Sequence, residues 1–477
     1  MLVDGLRREA GMDSGAASAK LNSGKCDSSP VTHLAILAGG KGTRLAAIAG
    51  DMPKVLVSVG GKPVLAHQLE LACAAGVRDV TVFAGHLADK IEAFLGDGSR
   101  FGLCARILVE HEPLGSAGAL LALLDSLPEH FLLVSGDVML AVDLARMAQR
   151  HLERGADLTA LAHPNDHPHD SDLIETDARD WVTAVHGYPH PPDAFFGNLV
   201  NASLYVVRRE ALRPLVPPIG SVPAKPDFAK DVMPALIARG GRVLAYRSSE
   251  YIKDMGTPQR LRKVEADWAA GRISLQAQAV PAPAVFLDRD GTLNVDKGVR
   301  SAADVELFAG VAGALASLRA AGYRLVVLTN QPMIAHGEVS AEDLARIHRR
   351  LEWELGKEGA FLDGIYVCPH HPERGHAGER AELKLECACR KPATGLAERA
   401  CAELNLDMGR SWMVGDQTRD IEMARRAGLR SVLLRTGVGG GDGKFAAAPD
   451  FVADDLAAAA QIILHHGVLQ HAPTPAL

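Results

Sequence analysis

The chain has 477 residues, room for two large domains or about three of ordinary size. Hydrophobic residues make up 47% and charged residues 23%, which excludes a disordered chain with too little apolar surface to offset its ordering entropy. A net charge of -7 gives no electrostatic ground for binding nucleic acid, and it suits anionic small substrates only where the pockets are locally basic.

No run of 18 apolar residues is present, so no membrane span is expected. Residues 1–30 lack the apolar core of a secretory signal, are rich in Gly, Ser, Ala and Asp, and read as a disordered tail. Seven cysteines in this length are not a disulfide framework, and the expected location is the reducing cytoplasm.

In chain order, Val31-Thr-His-Leu-Ala-Ile-Leu-Ala38 is an apolar block running into Gly39-Gly40, the pattern of a buried strand entering a glycine turn. A helix follows over 63–75, a strand over 79–84, a helix over 88–95, a strand over 105–109, a helix over 115–127 and a strand over 131–135. Alternating strands and helices predict a mostly parallel sheet covered on both faces. The stretch 273–283 carries two prolines and no amphipathic period, and reads as a linker. Alternation restarts at 284–287 and continues through strands over 324–328, 364–367, 411–414 and 431–434. The expected organisation is therefore two α/β domains, 31–272 and 284–465, with a tail over 466–477.

The first strand delivers Leu37-Ala-Gly-Gly-Lys-Gly-Thr-Arg-Leu45. Leu37, Gly39, Gly40 and Gly42 let backbone pass close to a ligand, so that exposed N–H groups can cradle a phosphate or a base edge. The Walker pattern G-x-x-x-x-G-K-S/T and the dinucleotide pattern G-x-G-x-x-G are both absent. Arg44 and Lys54, near the glycines, suit a triphosphate whose charge must be neutralised. Asp137 ends an apolar strand, and Asp254 lies in Tyr251-Ile-Lys-Asp-Met-Gly-Thr-Pro258; hard oxygen ligands of this kind hold Mg²⁺ against phosphates.

These residues resemble the sugar-phosphate nucleotidyltransferase family, whose opening motif is L-x-G-G-x-G-T-R-L followed by P-K. The resemblance runs on through His111-Glu-Pro-Leu-Gly-Ser-Ala-Gly118, Asn198 to Tyr205 and the Asp254 element. It implies a Rossmann-like, GT-A-like domain in which Gly115 joins the nucleotide site. Asp137 and Asp254 would share the metal, and Asn201 would face the sugar. The implied reaction is attack of a sugar 1-phosphate on the α-phosphorus of an NTP, releasing pyrophosphate. The branch resembled most is the heptose and mannose 1-phosphate guanylyltransferases, which implies GTP. One departure is Ser203, where the family often has glycine.

The restart strand runs into Asp288-Arg-Asp-Gly-Thr292. Two carboxylates at i and i+2 past a strand end can both turn into a crevice, one to attack phosphorus and the other to handle protons. Leu328-Thr-Asn330, Arg390-Lys391-Pro392 and Val414-Gly-Asp416 with Asp420 follow in order. Between them, Cys368-Pro-His370 and Cys387-Ala-Cys389 make a Cys₃His set that matches closed tetrahedral structural zinc.

This motif order resembles the haloacid-dehalogenase superfamily. The resemblance implies Asp288 as nucleophile, Asp290 as general acid/base, and Thr329 and Lys391 on the phosphoryl oxygens. Mg²⁺ would sit on Asp288, the Asp290 carbonyl and Asp416, and the short spacing leaves no space for a large cap. The zinc set resembles the heptose 1,7-bisphosphate 7-phosphatase and histidinol-phosphate phosphatase subfamily. In the heptose branch Asp296, Asn330 and Arg390 would meet substrate. The branch pattern T-N-Q-S-G-I-A-R-G is Thr-Asn-Gln331-Pro-Met-Ile-Ala-His-Gly337 here, and its lysine after the last Gly-Asp is Gln417. The two halves chain logically: the phosphatase leaves a sugar 1-phosphate, which the transferase consumes. Two alternatives stay open, a different phosphorylated substrate or one domain serving as a non-catalytic module.

Overall fold

The computed structural model describes residues 31–40, 45, 50–110, 114–177, 179–216, 225–277 and 281–467. The described chain forms two compact units. The first comprises residues up to Ala162 with Ile174–Gly187 and Asn201–Ala277; the second comprises His163–Leu173, Tyr188–Val200 and Gln278 onward. No helix among the described residues is long and apolar enough to cross a membrane.

In the first unit, strands Cys104–Val109, Asp79–Ala84, His33–Ala38 and His130–Ser135 lie side by side in parallel. In chain order that is 3-2-1-4, so the order reverses between His33–Ala38 and His130–Ser135. Such a switch point opens a crevice beyond the carboxyl ends of the two strands, and there Gly39 and Asp137 emerge. Val200–Arg208 then joins antiparallel to His130–Ser135, so the nine-stranded sheet is mixed. Leu34, Ala35 and Ile36 are essentially sealed, as expected for a strand covered on both faces.

In the second unit all six strands are parallel. Their order is Gly364–Cys368, Arg324–Asn330, Ala284–Leu287, Trp412–Gly415, Arg430–Leu434 and Phe451–Ala453, or 3-2-1-4-5-6 in chain order. The switch point here falls between Ala284–Leu287 and Trp412–Gly415, which deliver Asp288 and Asp416. Ala284, Val285, Phe286 and Leu287 are all fully buried, so this strand has no solvent face onto which it could slip. The helix Ala341–Lys357 starts in a capping box, with Ser340 accepting from the Asp343 N–H and Asp343 reaching back.

The segment expected as a linker is only partly one. Arg272–Leu275 is a helical turn, and Ile273 packs into the apolar cluster of Leu261, Val264 and Tyr251. Burial of one isoleucine anchors a stretch whose periodicity carries no signal. Residues 278–280 lie outside the described ones.

Candidate active sites

In the first unit, the ladder between Val138–Ala141 and Tyr251–Asp254 sets Asp254 opposite Val138, and the Met255 N–H donates to the Asp137 carbonyl at 2.9 Å. Two carboxylates far apart in sequence are thus adjacent in the fold. Asp137 accepts from Lys54 Nζ at 3.2 Å and from Ser135 Oγ at 2.8 Å. Asp254 accepts from the Gly256 N–H at 2.6 Å and from the Arg260 guanidinium. Each carboxylate is thereby balanced by a cation, and Arg260 has no counterpart in the sequence reading. The pair fits a hard cation as donors, with Lys54 and Arg260 the groups it would share them with.

Leu37 is half-buried in its strand, and its carbonyl accepts from the Gly136 N–H at 2.9 Å. A Cβ on Gly39 would come within 2.7 Å of Glu110 Oε1, whereas Gly40 faces open space. Burial raises the Glu110 pKa. Nothing local in the sequence marks this carboxylate; only strand pairing brings it to the glycine turn. Gly115 has φ +81, and a Cβ there would strike the backbone of Lys225 and Pro226, so this glycine is also required by packing. Asn201 is buried, with its amide nitrogen donating to Tyr205 Oη at 2.8 Å. Ser203 has φ +55, which explains why glycine suits that position. Arg44 and Gly42 lie outside the described residues.

In the second unit the carboxylates converge. Asp288, Asp416 and Asp420 bring oxygens within 4.8 Å of one another, all buried. Lys391 Nζ lies 2.9 Å from Asp288 Oδ1 and 2.7 Å from Asp420 Oδ1. Three carboxylates against one ammonium leave two negative charges uncompensated in a buried place. Asp416 accepts from the Val438 N–H at 2.7 Å through Oδ2, while its buried Oδ1 has no hydrogen-bond partner among the described residues. Burial, followed by the neighbouring Asp288 and Asp420, pushes the Asp416 pKa up to about 7. An orphaned oxygen in a doubly negative cluster fits a divalent, oxygen-loving cation. Gly291, at φ +79, is needed beside it, because a Cβ would meet Asp416 Oδ2 at 2.3 Å.

The Asp290 side chain does not join this cluster. It accepts from Arg289 Nε at 3.0 Å and Nη2 at 2.7 Å, from Asn294 Nδ2 at 3.0 Å and from Gln331 Nε2 at 2.9 Å. Gln331 Nε2 also reaches Thr329 Oγ1 at 2.7 Å. Asp420, which follows Asp416 in the same motif, is the third carboxylate of the cluster. Asn330, expected at substrate, engages both ends of its amide on the Lys391 backbone. Arg390 Nη1 donates to the His370 carbonyl at 3.0 Å, and Asp296 is exposed.

Cys368, His370, Cys387 and Cys389 are brought together as expected. The three sulfurs are 3.2, 3.3 and 3.6 Å apart, and His370 Nδ1 lies 3.3 Å from Cys389 Sγ. A tetrahedron with metal–sulfur bonds of about 2.3 Å has edges of roughly 3.8 Å, so the cluster fits a zinc ion with a small expansion. Burial and the adjacent thiols push the Cys368 thiol well up in the absence of a cation.

Residues 34–271 match the family of nucleotidyl transferases, and residues 388–459 match the HAD-hydrolase-like family. The D-glycero-beta-D-manno-heptose-1,7-bisphosphate 7-phosphatase of Haemophilus ducreyi is 44% identical over 157 residues, which are 32% of this chain and 84% of that protein. The chain belongs to the heptose-bisphosphate 7-phosphatase family. This 7-phosphatase relative carries in addition a nucleotidyl transferase domain at its N-terminus. The phosphatase of the same name from Haemophilus influenzae is 40% identical over 178 residues, 36% of this chain and 92% of its own length. A crystal structure of D,D-heptose 1.7-bisphosphate phosphatase from B. bronchiseptica, complexed with magnesium and phosphate, is 31% identical, covering 39% of this chain and 99% of its own, with a TM-score of 0.34.

Proposed function

We propose that the chain makes a nucleotide-activated heptose in two steps. The domain over 284–465 removes the 7-phosphate of D-glycero-D-manno-heptose 1,7-bisphosphate, and the domain over 31–272 joins the resulting heptose 1-phosphate to GMP from GTP, releasing pyrophosphate. The observation that carries the reading is the buried cluster of Asp288, Asp416 and Asp420 with Lys391, in a chain related to 7-phosphatases.

In the phosphatase, Asp288 is the nucleophile. Its Oδ1 is held by the Arg289 N–H and Lys391, so one carboxylate oxygen is fixed and the other is the one that would attack phosphorus. Lys391 and Thr329 hold the phosphoryl oxygens. Asp290 gives a proton to the leaving sugar oxygen and takes one from the water that cleaves the aspartyl-phosphate. Asp288, Asp416 and the Asp290 carbonyl would hold Mg²⁺, which would supply charge neutralisation for the incoming phosphate. Cys368, His370, Cys387 and Cys389 would hold zinc, which would fix the loop that precedes Arg390 and Lys391, and the short connections leave the site without a large cap. Arg390 and Asp296 meet the substrate's distal groups.

In the transferase, Gly39, Gly40, Gly42 and Gly115 hold the nucleotide, Arg44 and Lys54 its phosphates, Asp137 and Asp254 the metal, and Asn201 faces the sugar. Glu110 supports the choice of GTP. A carboxylate against the glycine turn can accept both N1–H and N2–H of guanine, whereas the other bases lack that paired-donor edge. The thiols of the zinc set need a reducing compartment or bound metal, in keeping with the cytoplasm.

The deciding experiment incubates the full chain and Mg²⁺ with heptose 1,7-bisphosphate and each NTP in turn, following phosphate and pyrophosphate separately. Phosphate release without NTP, then pyrophosphate release with GTP, is expected. Asp288→Asn should abolish phosphate release while nucleotidyl transfer to supplied heptose 1-phosphate persists. Equal loss of both activities in a folded variant would sink the two-site reading.

A further inference from the structure

Arg289 sits between the two aspartates of its motif and is 1% exposed. Two of its nitrogens grip Asp290, and the third, Nη1, lies 3.1 Å from His348 Nε2. A guanidinium has donors only, so His348 Nε2 must be the acceptor and its ring proton resides on Nδ1. The imidazole is therefore neutral, and a charged ring there would face a buried cation. His348 rides on the helix Ala341–Lys357, whose Leu344, Ile347 and Leu351 are buried on either side of it. The ring nitrogen is thus a fixed point on a packed helix.

Asp290 accepts four hydrogen bonds in this arrangement, two at each oxygen. Every neighbour is an N–H donor. A protonated carboxyl would set its O–H against one of them, so the arrangement seen is that of the carboxylate, the form that accepts a proton; the donor role in the first half belongs to the protonated form. In the cycle proposed above, acceptance belongs to the second half: water oxygen bonds to phosphorus, the bond from phosphorus to the Asp288 oxygen breaks, and the water proton passes to Asp290.

We propose that His348 is a positioning residue for this step, holding the Arg289 fork that sets the plane of the Asp290 carboxylate. The inference rests on the assignment of Asp290 as the proton-transfer group. Without His348, an Arg289 N–H loses its buried partner, and the fork is free to turn toward any water that enters. Asp290 then loses its fixed plane, although no group of Asp290 itself has been removed.

The test separates the two halves of the cycle. In a double-displacement reaction kcat/KM reports formation of the aspartyl-phosphate, and kcat reports its hydrolysis when that step is slow. His348→Leu should lower kcat about tenfold or more, a part of what a positioned base contributes, and kcat/KM by distinctly less, because the acid half of the cycle uses the protonated carboxyl, which the fork grips less tightly than the carboxylate. Acid quenching during turnover of bisphosphate labelled at the 7-phosphate should trap more labelled chain than in the wild type. His348→Gln, whose side-chain carbonyl can accept from Arg289, should recover most of the rate. Arg289→Lys, which keeps the cation but loses the fork, gives the same pattern if His348→Leu does not fold. Equal falls in kcat and kcat/KM, or no fall in either, would overturn the proposal. Asp290→Asn serves as the reference. If it traps labelled chain and the His348 variant does not, the positioning role fails and the assignment of Asp290 stands. If Asp290→Asn itself leaves kcat intact, the assignment fails and the proposal with it.

Discussion

Asn330 holds the peptide of Lys391 from both sides, its Nδ2 donating to the Lys391 carbonyl at 3.1 Å and its Oδ1 accepting from the Lys391 N–H at 3.0 Å. The two residues are 61 positions apart, so the clamp ties the end of one strand to a distant loop. Asn330→Ala removes two partly buried hydrogen bonds, each worth about 1 kcal/mol. Phosphate release should fall roughly tenfold or more as Lys391 loses its fixed place. Nucleotidyl transfer by the same preparation should be unchanged, which an assay of both products on one sample checks.

The thiol cluster gives a prediction about metal content. Full-length protein purified without chelator should hold about one zinc per chain, in accord with its three thiolates and one imidazole. Cys387→Ser should lower that content and the melting temperature of the phosphatase transition, because structural metal contributes folding energy directly. Elemental analysis that finds no zinc in the wild type removes the idea.

Ser203 adopts a left-handed backbone conformation within the strand Val200–Arg208. Ser203→Gly should stabilise the first unit by about 1 kcal/mol, since glycine meets no Cβ clash there, less what glycine loses in chain entropy. A denaturant melt of the two proteins measures the difference.

The first unit should weaken in acid. His33 and His151 are buried, and burial first, with positive or like neighbours second, depresses each to about 4 from 6.5. Above pH 6.5 both folded and unfolded rings are neutral, and no cost arises. As pH falls from 6.5 towards 4, only the unfolded state takes up the protons, so stability is lost through that window, on the order of 3 kcal/mol per ring. His151→Gln should flatten part of this slope in melting curves recorded at pH 7, 6 and 5.

Glu110 should govern the choice of base. Glu110→Gln replaces one acceptor with a donor, and a mispaired polar edge is strongly rejected in a buried site. The preference for GTP over ATP in a competition with equal nucleotides should fall about tenfold or more. An unchanged preference would place base recognition elsewhere.

Much of the fold is legible because its signals are local. The strand Asp79–Ala84 and the helix Ala88–Leu95 have the limits that apolar alternation and amphipathic spacing predict. The Cys368 to Cys389 set is equally plain, since four soft ligands at short spacing have few other uses. Glu110, Arg260 and His348 are not legible in the sequence. Glu110 and His348 gain their places through segments distant in sequence, and neither composition nor period encodes which segment that is; Arg260 lies only six residues past Asp254, and no motif marks it. The helical turn at Arg272–Leu275 was missed because a single buried isoleucine, not a repeating face, holds it.

The all-parallel sheet of the second unit has a practical consequence for anyone modifying the protein. Asp288, Thr329, Cys368 and Asp416 all stand at or just past the carboxyl ends of four different strands, so the chemistry occupies one rim of the sheet. The opposite rim, where Pro283, Tyr323, Gly409 and Arg430 enter or precede their strands, holds none of the proposed catalytic groups. A fluorophore, affinity tag or tether attached at that far rim would report on the phosphatase or immobilise it while leaving the approach of a phosphorylated sugar open.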